Sequence, residues 1–183
     1  DETIAAQKAL TESFSVKNGI PVVLRDTPDT PIVDINIGFE AGSRNAGLGK
    51  GRLANRMMWN MMASASKKYP KEKVFELVEK YSISIACTES IERGSCSLSL
   101  SKDYLRQALP LLTDNVNNPA LKKADFDLVK ARMLANLKAT PTDPAAFVND
   151  LVNTVFYQKD HPLAPGWERE LQWLEQVTLQ DVK

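Results

Sequence analysis

The segment Val33–Met62, VDINIGFEAGSRNAGLGKGRLANRMMWNMM, changes its apolar period once along its length. Val33, Ile35, Ile37 and Phe39 alternate with Asp34, Asn36 and Gly38, a period of two that marks a strand with one buried face. A loop from Ala41 to Gly51 follows and holds Gly42, Gly47, Gly49 and Gly51. Beyond it Leu53, Ala54, Met57, Met58 and Met61 fall on one side of a helix expected to run to about Ala65. Strand, glycine-rich loop and helix therefore succeed one another directly.

Working outward, Phe14 and Val16 lead into Asn18-Gly19, the strongest two-residue hairpin signal, and Ile20 to Leu24 runs back. Downstream, Val74, Phe75, Leu77 and Val78 give a second helix an apolar stripe. Ile83, Ile85 and Cys87 alternate again, as do Cys96, Leu98 and Leu100, so these two runs are expected to pair antiparallel. A connection centred on Ile91-Glu92 sets Cys87 opposite Cys96. Two readings stay open there: reduced cysteines acting as small hydrophobes, or a cross-strand disulfide requiring an oxidising compartment.

Leu105, Leu109, Leu112 and Val116 then mark a helix, bent at Pro110 and stopped by Asn118-Pro119. Phe126, Val129, Met133 and Leu137 mark the next. Asp143-Pro144 is an N-cap followed by proline at the first helical position, opening a stripe of Phe147, Leu151, Val155 and Phe156. The series predicts an α+β fold, a largely antiparallel sheet with helices on one face. No internal repeat or low-complexity stretch interrupts it.

With 183 residues the chain is expected to form a single domain over 1–183. Its 23 basic and 23 acidic residues balance, and no basic tract suggests a nucleic-acid or anionic-membrane surface. No apolar run approaches the roughly 20 residues of a membrane-spanning helix. The chain opens at Asp1 without a signal peptide, and the closing LQDVK looks like the first turn of a longer helix. Both ends suggest a portion of something larger.

Candidate chemistry is sparse. The glycine loop has a phosphate-loop position, but Leu48 stands where the lysine belongs and no Ser or Thr follows Lys50 and Gly51, so a flexible loop accounts for it better. His161 is the only histidine, in Lys159-Asp160-His161-Pro162, and reads as a surface loop residue. A zinc site draws three or four ligands, and Cys87 and Cys96 lie in apolar strand phase where a thiolate is disfavoured. No G-x-S-x-G elbow is present. The methionines around Trp59 are a soft binding surface or, more simply, core.

From about Phe14 onward, several strings in order resemble the insulinase/pitrilysin family of zinc peptidases, which includes the mitochondrial processing peptidases. SVKNGIPVVLRD is similar to that family's first strand pair and DINIGFEAGSRNA to its strand and G-S loop. ISIACTES with SCSLSLSKDYLRQALPLLTDNVNNPAL resembles its hairpin and long helix. FYQKDHPLAPGW resembles its H-P loop and LEQVTLQDVK the lead into a following helix. The match is patchy and rests on the order of the series.

In active members the helix after the G-S loop carries H-x-x-E-H, two zinc ligands around a glutamate that activates water. The resemblance places those positions at Asn55, Met58 and Trp59, and the third ligand, a glutamate, near Ala135 and Asn136. No glutamate occurs between Glu92 and Glu168. The resemblance thus implies no catalytic, cofactor or metal residue in this chain, although active relatives hold zinc. It implies an inert portion of a pitrilysin-type half that walls a chamber, binds an extended peptide or docks an active mate. Alternatives are part of an active protease whose metal lies elsewhere, or an assembly subunit. A periplasmic or exported location is expected, with the cytoplasm as alternative.

Overall fold

A computed structural model describes residues 10–157, 161 and 164–183. Contacts divide the chain into two compact units, Asp1–Ile32 and Val33–Lys183. In the first, β1 (Thr11–Ser15) and β2 (Pro21–Arg25) pair antiparallel with Phe14 opposite Val22. The Gly19 amide donates to the Val16 carbonyl at 2.8 Å and the Val16 amide to the Ile20 carbonyl at 3.0 Å. Gly19 supplies the left-handed residue, φ 77°, where a side chain would be strained. The connection is wider than the two-residue turn the sequence suggested, because the pairing stops at Ser15 and Pro21.

The second unit is built on a three-stranded sheet, ordered β3 (Ile32–Phe39), β5 (Gly94–Ser101), β4 (Ser84–Glu89). Its helices are α1 (Lys50–Met62), α2 (Lys71–Tyr81), α3 (Leu105–Asn117), α4 (Lys123–Ala139), α5 (Pro144–Phe156), α6 (Trp167–Gln176) and α7 (Leu179–Val182). The α+β architecture is as the sequence predicts. No helix among the described residues is long and apolar enough to cross a membrane.

Alternation in the strands sorts the sheet into two faces. Cys96, Leu98, Leu100 and Cys87 are buried with Trp59 and Met62 of α1 and Ala108 and Leu112 of α3, and Val33, Ile35, Ile37 and Phe39 pack on the same cluster. The opposite face carries Asp34, Asn36, Ser84, Thr88, Ser95, Ser97 and Ser99. Cys87 stands opposite Cys96, and the two are joined in a disulfide, which resolves the open alternative against reduced thiols. A second cluster unites Leu53, Ala54, Met57 and Met61 of α1 with Phe126, Val129, Leu174, Val177 and Val182. Leu53, Met57 and Met61 are fully buried there; each such side chain contributes about 1.5–3 kcal/mol through lost water contact.

Local signals fix the element ends. The Asp143 carboxylate accepts the amides of Ala145 and Ala146, capping α5 as its Asp-Pro start predicts. Thr178 and Asp181 form a reciprocal capping box around α7. Helix α3 is continuous with Pro110 inside it, and its buried positions are Ala108, Leu111, Leu112 and Asn115, while Leu109 faces out. After Asn118-Pro119 the chain doubles back: the Ala120 amide donates to Ala65 and the Lys67 amide to Asn118.

Candidate functional site

Among the described residues, helix α1 is the one element that enters both apolar clusters, and two i, i+3/i+4 rows of its side chains define the candidate site. The first row is Asn55, Met58 and Trp59. Trp59 is 3 % exposed and lies against Phe39, ring centroids 5.6 Å apart. Its indole also rests on Gly94, where any Cβ would overlap the ring; this close approach is why the first residue of β5 has no side chain. Met58 is half-buried between the two clusters. Asn55 Oδ1 and Trp59 Nε1 are buried without a hydrogen-bond partner among the described residues.

This row does not fit zinc. An indole N–H donates and has no lone pair in the ring plane, a thioether is a soft ligand, and one amide oxygen cannot hold a divalent ion alone. Ala135 and Asn136 are exposed positions of α4. Among the described residues, no group of three or more His, Cys, Asp and Glu side chains could hold a metal ion. His161 stacks on Tyr157, centroids 4.4 Å apart. Its neighbours 158–160 and 162–163, most of the H-P loop, lie outside the described residues.

The second row, Arg52 and Arg56, is the feature sequence reading missed. Arg52 pairs with Glu170 of α6 at 3.6 Å, and Arg56 bridges Glu170 at 3.7 Å and Glu89 of β4 at 3.0 Å. Arg52, Glu89 and Glu170 are almost fully enclosed, whereas Arg56 is about one-third open. Burial pushes the Arg52 guanidinium below its ordinary value; Glu170 opposes that shift, Arg56 adds to it and Glu89 opposes it again. Two arginines one turn apart, beside the apolar row of the helix, were the available signal, since arginines are rarely buried unpaired. Glu89 and Glu170 could not have been assigned to them from spacing.

The glycine loop is not slack, as the sequence suggested, at its start. The amides of Gly42, Ser43 and Arg44 donate to the carbonyls of Glu92, Ser90 and Ile91, zipping the loop to the β4–β5 turn. Gly42 lies so close to the backbone of Ile91–Arg93 that a Cβ has no room. At the helix start, Lys50 is engaged by Asp181 at 2.8 Å. Its hydrogen bond, with those of Thr178, lowers the Asp181 carboxyl to about 2.

Element order and geometry define the class only as an α+β domain with a buried helix after a G-S loop. The profile of the insulinase family, Peptidase family M16, matches residues 21–165. The chain belongs to that family. Three solved structures share the fold. The peptidase M16 inactive domain from Pseudomonas fluorescens has a TM-score of 0.81 at 18 % identity, over 94 % of this chain and 42 % of that one. A protease from Helicobacter pylori has a TM-score of 0.79 at 20 % identity, over 94 % and 41 %. Pitrilysin has a TM-score of 0.65 at 21 % identity, over 85 % and 17 %. The chain thus spans less than half the length of the structures it resembles. A search of curated proteins gave no match.

Proposed function

We propose that this chain is a non-catalytic M16 domain that contributes structure and peptide or partner binding to a protease assembly. The observation that carries the reading is the state of the Asn55–Met58–Trp59 face. Where the resemblance puts metal ligands and a base, the helix presents an amide, a thioether and an indole locked onto Gly94. The inactive-domain description of the Pseudomonas fluorescens structure supports the reading. So does the paired state of Arg52 and Arg56, which binds α1 to β4 and α6 by ion pairs in a helix that lacks a metal-ligand set. In this reading the chain needs no cofactor.

The role is that of a chamber wall and docking half for an active mate, with the mate in the same or a second chain. Strand β4 is an edge of the β3–β5–β4 sheet, and an extended peptide can add to such an edge by main-chain hydrogen bonds. The Cys87–Cys96 disulfide supports an exported or periplasmic location, because such bonds persist in oxidising compartments. Metal analysis and peptide hydrolysis on the purified chain test the proposal together. No stoichiometric zinc and no chelator-sensitive cleavage are expected; either one at stoichiometric or turnover level overturns it.

A further inference from the structure

An asparagine that precedes glycine is open to attack by the next backbone nitrogen, because no Cβ shields that nitrogen. Among the described residues, three asparagines lie outside helices and strands: Asn18, Asn45 and Asn118. They differ in what holds them. The Asn45 side-chain amide donates to the Glu40 carbonyl at 2.7 Å, and Ala46 follows it. Asn118 donates to Asp114 at 2.9 Å and precedes Pro119, whose nitrogen carries no hydrogen to lose. The Asn18 side chain makes no hydrogen bond among the described residues, and Gly19 follows it. It stands at the tip of the β1–β2 hairpin, where residues 16–20 are all exposed. Two backbone hydrogen bonds close that tip, from Gly19 to Val16 at 2.8 Å and from Val16 to Ile20 at 3.0 Å. The turn of a two-stranded hairpin opens at low cost.

We infer that Asn18 is a site of spontaneous deamidation, a modification that needs no enzyme and loosens the β1–β2 turn. The Gly19 amide nitrogen gives up its proton to solvent base and forms a bond to the Asn18 side-chain carbonyl carbon. The Cγ–Nδ2 bond breaks, and the departing nitrogen takes up a proton and leaves as ammonia. Water opens the resulting succinimide at either carbonyl, which gives aspartate or isoaspartate at position 18. Nothing is oxidised or reduced. The attacking nitrogen must first release the Val16 carbonyl, so the reaction proceeds from the opened tip. Isoaspartate routes the main chain through the side-chain carbons and lengthens the connection by a methylene, which works against both bonds that close the turn. Each product also adds a negative charge next to Lys17 in the chain. The 23 basic and 23 acidic residues otherwise balance, so the altered form separates from the parent by charge. The inference does not depend on whether the chain is catalytic.

Incubation of the full 183-residue chain at neutral and mildly alkaline pH, followed by tryptic mapping, tests it. Cleavage after Lys17, Arg25, Arg44 and Lys50 puts Asn18 and Asn45 in separate peptides. Peptide 18–25 should convert faster as pH rises, and about ten-fold or more ahead of peptide 45–50, where a Cβ and a hydrogen bond hinder the same attack. An isoaspartyl methyltransferase should label the product, and Asn18→Gln should remove the acidic form. In the isolated isoaspartate form the Val16 amide should exchange with deuterium about five-fold faster, the effect of losing one backbone hydrogen bond. The chain in denaturant sets the rate for a fully open tip. A folded-state rate more than about 100-fold below that one overturns the inference, since the turn then protects Asn18. Conversion at Asn45 or within a helix ahead of Asn18 overturns it, as does an acidic form that persists in Asn18→Gln. So does an isoaspartate form whose Val16 exchange is unchanged.

Discussion

Helices α1 and α5 are both 13 residues long and both amphipathic, yet they treat water in opposite ways. Helix α1 buries seven side chains and draws its two arginines toward Glu89 and Glu170. Helix α5 buries none and turns its apolar row out. Hydrophobic periodicity fixes that a stripe exists and which residues share it. It does not fix what the stripe faces. Only the neighbours supplied by distant parts of the chain decide that.

The strongest way to break the comparison is to remove the counter-charge beneath α1. Glu170→Ala removes the Arg52–Glu170 ion pair from an enclosed guanidinium and should lower unfolding free energy by about 3 kcal/mol. A denaturant midpoint near that of the parent chain would show that water already reaches Arg52. Next in size is a matched pair of truncations. Met57→Ala should cost about 3 kcal/mol by opening a cavity in the core. Val155→Ala should change stability by less than about 0.5 kcal/mol. Equal effects would end the distinction between the two helices.

Two further substitutions sharpen what holds α1 to the sheet. Gly94→Ala forces a methyl into the Trp59 indole and should cost about 1–3 kcal/mol, with a shift in tryptophan fluorescence. Replacing Cys87 and Cys96 together by Ala removes a short cross-link in the same apolar cluster, and a loss of about 2 kcal/mol is expected, matched by adding reductant to the parent chain. An unchanged thermal midpoint in reductant would set the disulfide aside as a stabiliser.

The smallest effect concerns the open end of α1. The folded Asp181 carboxyl titrates near 2, below its ordinary value of about 3.9, so its contribution is complete above that ordinary value and is lost as pH falls toward 2. Nuclear magnetic resonance titration should show the Asp181 and Lys50 signals moving together below pH about 4. In Asp181→Asn that step disappears. Titration of Asp181 at its ordinary value would mean the Lys50 contact is not held in solution.

Much of the site was readable before any coordinates. Asn55, Met58 and Trp59 were singled out by the family resemblance, and their side-chain chemistry already argued against a metal there. The ion cluster was half readable: Arg52 and Arg56 stand on the correct side of α1, but Glu89 and Glu170 are 33 and 114 residues from the Arg56 that joins them. The capped start of α5 at Asp143-Pro144 was legible, because capping is settled within four residues. Its direction was not. The position of the Asn18-Gly19 hairpin was legible from the turn residues, whereas the length of its connection depended on where cross-strand pairing stopped.

The amino-acid sequence by itself determined the order of strands and helices, the Cys87–Cys96 register and the poverty of ligands on α1. Each depends on residues close in the chain or on a period of two or 3.6. Tertiary structure alone decided that the cysteines are joined, that Arg52 and Arg56 are neutralised from two separate elements, and that the apolar side of α5 is left facing water. These outcomes depend on which remote surfaces come together, and a backbone's local preferences carry no record of that.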